Sequence, residues 1–443
     1  TFTGGATLNA GAVYLGSDSA FGASTGLVTF AGASVSSDGA TARIVANNYS
    51  MSGSFTLGDV ARNGALTLSG NGVMTGNTTI TMPSDVALNG IISGSFSLTK
   101  SGAGALTLMG ANTYTVGTTL NAGSVYVGNN SAFGTGLVAI VGSTVSSDSV
   151  VGRTVGNAYS FGGAVTLGDA TRSGLLTLTG NGTLTSNTTL TTASDVVLSG
   201  PVSGSVSLTK VGTAALTLSG ANTFLGGATL SAGALYIGND AAFGTGSLTM
   251  AGASISSDSV SVRTVSNPFN VGGNQTLGNT TRNGRLTFTG AGSLTADTTF
   301  TVSSDVVMSG LLSGAFALTK TGGAELTIGG VAANTYSGAT TVNAGILTLS
   351  GGSAVVDTGA VTVTAPGTLK LAGGETIGSL AGDGAVNLQT FALTVGGAAT
   401  TTFSGVISGT GVTTAFVKSG SGKLTLSGAN TFSGGSAVSG GVL

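Results

Sequence analysis

The chain has 443 residues, of which 79 are Gly, 13 are Lys or Arg and 15 are Asp or Glu. An average globular protein has ~7% Gly and ~25% charged residues. The sequence contains no Cys and no His, which excludes disulfides, Cys-ligated metal centres, histidine metal sites and Ser-His-Asp or Cys-His catalysis. The net charge of −2, with scattered basic residues, provides no electrostatic footprint for nucleic acid.

The apolar residues follow a strand-like pattern along the whole chain. A hydrophobic content of 41% opposes disorder, because disordered chains are poor in aliphatic residues. Aliphatic residues alternate with Thr in Leu106-Thr107-Leu108 and Leu176-Thr177-Leu178, which is the two-residue period of half-buried strands. We find neither a capped amphipathic helix nor a membrane-length apolar run of ~20 residues. The sequence therefore predicts an all-β protein.

The chain is built from internal repeats. One phrase recurs four times with small changes: Ala111-Asn112-Thr113-Tyr114, Ala221-Asn222-Thr223-Phe224, Ala333-Asn334-Thr335-Tyr336 and Ala429-Asn430-Thr431-Phe432. Division after each Asn gives units 1–112, 113–222, 223–334 and 335–430, with a partial unit 431–443. The first three units are close copies over their whole length. The fourth keeps both ends but has lost the middle signatures.

The repeats favour one continuous β-solenoid over residues 1–443 rather than a string of separate domains. No Pro-rich, charged or Gly/Ser-only linker separates the units. Coils of about 20–25 residues would place roughly five coils in each unit. About 20 coils, stacked ~4.8 Å apart, would form an elongated rod on the order of 100 Å long. The main structural alternative is an array of β-sandwiches, which would require varied loops at domain ends that the sequence does not show.

One stretch of each unit resembles a known family. Leu98-Thr99-Lys100 begins a segment that passes through Gly110-Ala111-Asn112 to Asn121-Ala122-Gly123, and it recurs from Leu208, from Leu318 and from Val417. This segment resembles the autotransporter-associated (passenger-associated) β-strand repeat of bacterial secreted proteins. The resemblance implies a right-handed parallel β-helix outside a Gram-negative-type cell. It also implies a role in adhesion, aggregation or surface structure.

A lysine occupies the same place in every unit: Lys100, Lys210, Lys320 and Lys418. Lys100 shares strand parity with Leu98, so a continued strand would direct it inward, and we expect a corner there instead. The structural interpretation is a Lys that caps carbonyls or snorkels at a turn. The functional alternative is a catalytic base of the polysaccharide-lyase kind, which is known on β-helices. Identical placement in four units favours the structural interpretation.

A second series places an acid and a base three residues apart between glycines, in Asp59 and Arg62 and again in Asp169 and Arg172. The third copy keeps the base as Arg282 but has Asn279 in place of the acid. We interpret the pairs as local turn stabilisers, each worth ~0.5 kcal/mol if exposed. The alternative is an acidic and basic pair that grips sugar hydroxyls.

Ser and Asp recur in two further series. The first contains Ser36-Ser37-Asp38, Ser146-Ser147-Asp148 and Ser256-Ser257-Asp258, and the second contains Ser84-Asp85, Ser194-Asp195 and Ser304-Asp305. Such side chains bond to nearby backbone amides and mark turns. Calcium needs six to eight oxygens, whereas these carboxylates come singly. Metal binding would therefore require neighbouring coils to bring the two series together.

The repeated aromatic residues are expected in the interior. Phe21, Phe133 and Phe243 recur in an Ala-Phe-Gly phrase and are interpreted as core or corner residues. A platform for stacking sugar rings would favour exposed Trp and Tyr, and the chain has no Trp.

We interpret the chain as a non-enzymatic extracellular structural or adhesive protein, a segment of a larger bacterial cell-surface passenger or fibre. It is expected to have no catalytic, cofactor-binding or metal-binding residues and no cofactor. One alternative is a self-assembling extracellular filament or surface-layer subunit. Another is a carbohydrate-binding or carbohydrate-active β-helix. Expected partners are further coils or other copies joined end to end, and cell-surface glycans or other cells; we expect neither nucleic acid binding nor a membrane span.

Two expectations concern particular regions. Neither the start of the chain at Thr1 nor its end at Leu443 shows a capping signature, and an uncapped coil is a template for further strands. We therefore expect the natural protein to continue beyond both ends, or copies to stack end to end. Between Leu349 and Phe403 the diverged fourth unit should have another cross-section or fewer outward loops. The common path should resume at 403–409, which matches 88–94.

Overall fold

Strands and turns form all of the protein that the structure, a computed structural model, describes: residues 2–410 and 414–443. These residues contain no helix, and so no helix with the length and apolar character to cross a membrane. Parallel sheets stack as a β-solenoid of about 21 turns, which confirms the predicted fold class and the predicted number of about 20 coils. Contacts within the chain divide it into two compact units, 1–226 and 227–443.

The strands of the first compact unit are short. They are β1 Ala6–Leu8, β2 Ala12–Leu15, β3 Val28–Phe30, β4 Ser34–Ser37, β5 Arg43–Val45, β6 Tyr49–Leu57, β7 Leu66–Leu68, β8 Gly72–Thr81, β9 Val86–Leu88, β10 Ile92–Ser93, β11 Ser97–Ser101, β12 Leu106–Leu108, β13 Gly117–Leu120, β14 Ser124–Val127, β15 Leu137–Ile140, β16 Thr144–Ser147, β17 Arg153–Val155, β18 Tyr159–Phe161, β19 Ala164–Leu167, β20 Leu176–Leu178, β21 Gly182–Leu184, β22 Thr188–Thr192, β23 Val196–Leu198, β24 Val202–Ser203, β25 Leu208–Val211 and β26 Leu216–Leu218.

The second compact unit has the same kind of strands. They are β27 Ala228–Leu230, β28 Ala234–Ile237, β29 Leu248–Met250, β30 Ser254–Ser257, β31 Arg263–Val265, β32 Phe269–Leu277, β33 Leu286–Phe288, β34 Gly292–Val302, β35 Val306–Met308, β36 Leu312–Ser313, β37 Leu318–Thr321, β38 Glu325–Ile328, β39 Thr340–Val342, β40 Ile346–Leu349, β41 Ala360–Val363, β42 Thr368–Leu371, β43 Glu375–Ile377, β44 Ser379–Gly382, β45 Ala385–Asn387, β46 Leu393–Val395, β47 Thr401–Phe403, β48 Val406–Ser408, β49 Thr414–Lys418, β50 Leu424–Leu426 and β51 Gly435–Val438.

Most strands pair in parallel with a strand one coil further along the chain. Thr99 of β11 lies opposite Thr119 of β13, and Ala164 of β19 lies opposite Thr189 of β22. The number of residues from one partner to the other equals the lower limit of the predicted coil length in the first pair and the upper limit in the second. The predicted coil length is therefore confirmed for these coils. Because equivalent residues of successive coils lie opposite each other, side chains of one kind form columns along the stack.

The core consists of such columns of aliphatic side chains. Leu106 of β12 lies between Val86 of β9 and Val125 of β14, and all three side chains are buried. Thr107, between two buried leucines, is only partly buried. The alternation of Leu and Thr thus separates interior from surface as predicted, since successive strand residues point to opposite faces.

Glycine is required where coils approach closely at a corner. A Cβ atom on Gly90 would overlap the carbonyl oxygen of Gly70, and one on Gly110 would overlap the carbonyl oxygen of Gly90. The three residues form a column in which any side chain would push the coils apart. This close approach explains part of the high Gly content.

The diverged fourth repeat stays in the solenoid, but some of its coils are shorter. Thr368 pairs with Ala385, a shorter step along the chain than the step from Thr99 to Thr119. No helix occurs between Leu349 and Phe403. The shorter step agrees with the expectation of another cross-section or fewer outward loops in this segment, without separating the two.

The common path resumes after the diverged segment. The Ile407 amide donates to Asn430 Oδ1 at 2.9 Å, and the Ile92 amide donates to Asn112 at 2.8 Å in the same way. The expected return at 403–409 is confirmed by this shared hydrogen bond.

Buried tyrosines differ in whether their hydroxyl groups have a partner. The Tyr114 hydroxyl lies 2.6 Å from Thr118 Oγ1, whereas the Tyr49 hydroxyl is buried without a hydrogen-bond partner among the described residues. The repeat places Phe269 at the position of Tyr49 and Tyr159. Burial of an unpaired hydroxyl is unfavourable, so the hydroxyl of Tyr49 opposes folding.

Replacement of these tyrosines by Phe should therefore have opposite effects. We expect Tyr49→Phe to leave the free energy of unfolding unchanged or to raise it by up to ~1 kcal/mol. Tyr114→Phe should lower it by about 1–2 kcal/mol, because Thr118 loses its partner. Urea denaturation of the two variants checks this prediction, and a larger loss for Tyr49→Phe than for Tyr114→Phe would contradict it.

Candidate functional site

The repeated lysines lie inside the solenoid. Lys100 belongs to β11, and its side chain is 0% exposed. Its Nζ donates to the carbonyl oxygens of Gly102 at 2.7 Å and Ala122 at 2.8 Å. The equivalent lysines bind the following corner in the same way: Lys210 donates to Val211 and Gly212, Lys320 to Thr321, Gly322 and Ala344, and Lys418 to Ser419 and Gly420. An ammonium group has three donors and so matches several corner carbonyls at once.

The position of Lys100 corrects one expectation and confirms another. The residue is not at a corner and does not snorkel to solvent, because β11 continues to Ser101 and the corner follows it. The parity of Lys100 with Leu98 along the strand correctly predicted that its side chain points inward. The prediction that this lysine caps carbonyl groups is also confirmed. The sequence could not show that carbonyls in two successive coils would supply partners to a fully buried cation.

Burial sets the electrostatics of these lysines. It lowers the pKa of Lys100, Lys210 and Lys320 to about 8, and Asp85 and Asp195 partly oppose this change for the first two. A lysine with such a pKa could act as a base if a substrate reached it. Nζ of Lys100 is instead enclosed by the chain and directed at backbone carbonyls, an arrangement that fits a structural role.

The Asn of the recurring phrase is a second buried connector. Asn112 accepts a hydrogen bond from the Ile92 amide at 2.8 Å, and its Nδ2 donates to the carbonyl oxygen of Ala132 at 2.6 Å. Asn334 makes the same two bonds, at 2.7 and 2.9 Å. One amide side chain therefore links three successive coils. In the sequence this Asn marks the repeats, and its recurrence is the one signal of a bridging role.

The pairs of Asp and Arg stabilise turns, as interpreted from the sequence. Asp59 Oδ1 accepts hydrogen bonds from the amides of Arg62 and Ala61, and these bonds hold the pKa of the carboxyl below its usual range. The Arg62 guanidinium is only a distant ion partner, at 3.8 Å. Asn279 keeps both amide bonds in the third copy, at 2.9 and 3.0 Å. The turn therefore needs the acceptor oxygen rather than the charge.

Each of these arginines also covers a tyrosine ring, which the sequence analysis missed. The guanidinium carbon lies 3.8–4.0 Å from the ring centroid in every copy: Arg62 over Tyr14, Arg172 over Tyr126 and Arg282 over Tyr236. The available signal was a Tyr that recurs at a nearly constant distance before each Arg. An Arg on a ring face is a favourable cation–π contact, and it occupies the face on which a sugar would stack.

The Ser-Ser-Asp series forms a further turn with an ion pair. Ser37 Oγ donates to the carbonyl oxygen of Thr41 at 2.5 Å, which confirms that the series marks turns. Arg43 lies 2.9 Å from Asp38, and its hydrogen bond holds the pKa of that carboxyl below its usual value. Equivalent pairs join Arg153 to Asp148 at 2.8 Å and Arg263 to Asp258 at 2.9 Å. The constant spacing of Asp and Arg in this series was not used in the sequence analysis.

Side chains of the Ser-Asp series accept hydrogen bonds from backbone amides of neighbouring coils. Ser84 Oγ accepts from the Asp59 amide at 3.2 Å, and Asp85 Oδ1 accepts from the Ala105 amide at 2.9 Å. Within residues 2–410 and 414–443, no three Asp or Glu side chains gather into a group that could hold a metal ion. The carboxylates of the Ser-Asp series each accept a hydrogen bond from a backbone amide of a neighbouring coil.

Two features of the second compact unit were not expected. Glu375 is 3% exposed and accepts hydrogen bonds from the Val355 and Ala354 amides, at 2.9 and 3.3 Å. Burial raises the pKa of its carboxyl. A surface groove beside Pro366 contains one carboxylate, Asp383, which already accepts from the Ala365 amide at 2.9 Å. Neither feature brings together an acid and a base.

The repeated phenylalanines lie in the core, as expected. The exposed fractions of Phe21, Phe133 and Phe243 are 5%, 1% and 0%. These rings are therefore unavailable as a platform for sugars.

Comparison with known families identifies the repeated segment. Residues 98–127, 208–237, 318–355 and 416–443 match the family model described as Passenger-associated-transport-repeat. The chain therefore carries four passenger-associated transport repeats, and the resemblance found in the sequence is confirmed. Each matched segment contains one buried lysine of the Lys100 series and one Asn of the recurring phrase. Repeats of this family belong to secreted autotransporter passengers, and together with the β-solenoid they fit a passenger domain.

Searches of curated proteins and of solved structures gave no match.

The bridging role of Asn112 predicts a large effect of its removal. Asn112→Ala leaves the Ile92 amide and the Ala132 carbonyl unpaired in the interior, so we expect the free energy of unfolding to fall by about 2–4 kcal/mol. The matched control is Asn71→Ala, since Asn71 accepts from the Ile91 amide at 2.9 Å but is exposed. Water can replace that bond, and the loss should stay within about 1 kcal/mol. Equal losses in urea denaturation would refute the bridging role.

The buried lysines predict an unusual dependence of stability on pH. Their pKa is about 8 in the folded chain, against 10.5 for an ordinary lysine. The unfolded chain therefore binds more protons between these values, and the free energy of unfolding should rise with pH across that window. Above pH 10 the buried tyrosines act in the opposite direction, because burial raises their pKa. Urea midpoints measured from pH 7 to 11 should show a maximum near pH 10.

Lysine variants test the origin of this rise. Lys100→Met should make the increase between pH 8 and 10 smaller, whatever its effect on stability at pH 7. Lys423→Met, at an exposed position, should leave the increase unchanged. A stability that is flat between pH 8 and 10 in the unsubstituted chain would contradict the account.

Proposed function

We propose that this chain, with its four passenger-associated transport repeats, is a non-enzymatic structural or adhesive segment of a larger bacterial cell-surface passenger. Its place would be outside the cell, as for other proteins with these repeats. Its partners would be further solenoid coils of the same protein and the surfaces of other cells.

The observation that carries this proposal is the internal use of the candidate chemical groups. Lys100 Nζ binds backbone carbonyls, Asp59 binds backbone amides, and the Arg62 guanidinium lies on a tyrosine ring. The lysine contacts recur in all four units and the arginine stack recurs in three, whereas an enzymatic β-helix needs one cleft where acid, base and substrate meet. Repeated and internally bonded polar groups support a role in holding coils together.

Deletion of one whole repeat distinguishes a repetitive structural segment from a protein with one unique site. Removal of 113–222 joins Asn112 to Thr223 and restores the phrase Ala-Asn-Thr-Phe with the coils in register. Gram-negative cells that display the shortened chain should still attach to cells or glycan-coated surfaces, with attachment reduced but not abolished. The matched control is removal of 113–212, which joins coils out of register and should give a protease-sensitive chain.

Three outcomes would contradict the proposed function or favour one of its alternatives. Cells that display the full chain and attach no better than cells without it would contradict an adhesive role. Ordered fibres formed by the purified chain would favour the filament or surface-layer alternative. Cleavage of a polysaccharide by the purified chain, or glycan binding lost on changing one repeat only, would favour the carbohydrate-active or carbohydrate-binding alternative.

A further inference from the structure

One corner of the solenoid is filled by a buried Asn in each of the first three repeat units. The Nδ2 atom of this Asn donates to two carbonyl oxygens of the preceding coil, at 2.7–3.1 Å: Asn47 to Ala23 and Gly26, Asn157 to Gly134 and Gly136, and Asn267 to Gly244 and Gly246. These asparagines are at most 8% exposed. The corner is therefore built around a group that provides N–H donors.

The fourth repeat unit has no Asn at this corner. Asn157 precedes Tyr159, the first residue of the next strand, by two positions. In the fourth unit the strand register puts Leu380 in the place of Tyr159, so Gly378 takes the place of Asn157. A Cβ atom on Gly378 would overlap the carbonyl oxygen of Thr358. This coil therefore cannot fill the corner with a side chain of its own at that position.

A groove of about 290 Å³ lies at this corner instead. Three successive coils line it, between residues 357 and 360, at 378–379 and at 396–399, and we call it the corner groove. Apart from Asp357, Thr358 and Ser379, all of its lining residues are Gly or Ala. Its volume is at the small end of the range for ligand pockets, so it suits a small or slender group.

Two polar side chains of the corner groove lack partners within the chain. Ser379 is 8% exposed, and its hydroxyl group has no hydrogen-bond partner among residues 2–410 and 414–443. Asp357 is exposed, and its carboxylate has neither a hydrogen bond nor an ion pair with any residue that the structure describes. A buried hydroxyl group without a partner is unfavourable. The pair of groups therefore points to a ligand from outside the chain.

We propose that the corner groove binds a primary alkylammonium ion. The ammonium group supplies N–H donors where the first three repeat units use the Nδ2 atom of Asn47, Asn157 and Asn267. It has three donors, which suit the Asp357 carboxylate and the Ser379 hydroxyl together. The carboxylate favours a charged donor over a neutral amide, because charge-assisted hydrogen bonds are stronger. The Gly and Ala walls leave room for a slender methylene chain.

Other ligands fit the corner groove less well. An anion would meet the Asp357 carboxylate, and no Lys or Arg lines the groove. A sugar would find no aromatic ring on which to stack, and a calcium ion needs more oxygen ligands than one carboxylate and two hydroxyl groups supply. The ammonium group can belong to a free amine or to a lysine side chain of another protein. This inference goes beyond the proposed surface role and does not depend on it.

The test is an NMR titration of the full chain with two blocked lysines. The first is Nα-acetyl-lysine amide, whose side chain carries the ammonium group, and the second is its Nε-acetylated form, which lacks that charge. We expect the first to bind about tenfold more tightly, because only it makes charge-assisted hydrogen bonds. The diamine cadaverine is titrated in parallel. Tighter binding of cadaverine would support a free amine as the ligand, and tighter binding of the blocked lysine would support a protein side chain.

Variants assign the binding to the corner groove. Asp357→Asn should weaken the binding of the blocked lysine about tenfold, and Ser379→Ala should weaken it about threefold. Neither side chain has a partner in the chain, so both variants should keep the fold, which circular dichroism checks. The matched control is Asp383→Asn, which removes the same charge from the groove beside Pro366. The Asp383 carboxylate already accepts from the Ala365 amide, and this variant should bind the blocked lysine as the unsubstituted chain does.

The proposal is overturned if neither cadaverine nor the blocked lysine binds, or if the blocked lysine and its acetylated form bind equally. It is also overturned if folded Asp357→Asn binds the blocked lysine as tightly as the unsubstituted chain. Equal losses in Asp357→Asn and Asp383→Asn would likewise contradict it, because the binding would then follow the overall charge of the chain.

Discussion

Parallel coils stacked in register impose one constraint on the rest of this structure: every corner leaves backbone groups without a ladder partner. Buried backbone groups need hydrogen bonds, and water does not reach the interior of the solenoid. Lys100 satisfies corner carbonyls from two successive coils. Asn112 satisfies an amide of the preceding coil and a carbonyl of the following coil. These two kinds of residue lie in each segment that matches the transport repeat, so each matched segment of this chain supplies side chains that complete the hydrogen bonding of its corners.

Differences among the repeats show which features of this solution are needed. Asn279 replaces Asp59 and Asp169 without loss of the amide bonds. Tyr336 is hydrogen-bonded to Thr340, but where the second repeat has Phe224, the position equivalent to Thr340 is Ala228. In the second repeat both hydroxyl groups are thus absent, whereas the fourth has Phe432 together with Ser436. At the turn that contains Asn279, the repeats preserve the hydrogen bonds to the backbone, while the charge of the acceptor side chain varies between copies.

The sequence was sufficient to predict the strands, the interior columns and the coil length, because each depends on a local period or on a recurring phrase. Contacts between distant residues could not be obtained in this way. The stacking of Arg62 on Tyr14 depends on how one turn folds back over earlier coils. The full burial of Lys100 depends on carbonyls that only the assembled corner brings within reach. The unpaired hydroxyl of Tyr49 has no sequence signal except the Phe at the equivalent position, Phe269.

Amide hydrogen exchange at the corners tests the central claim most directly. The amides of Ile92, Val202 and Leu312 lie beside corners, and each donates to a buried Asn of the recurring phrase. If these side chains complete the hydrogen bonding of the solenoid, the three amides should exchange as slowly as the amides in the middle of neighbouring strands. Exchange as fast as that of exposed turn amides, under conditions in which the strands remain protected, would contradict the account.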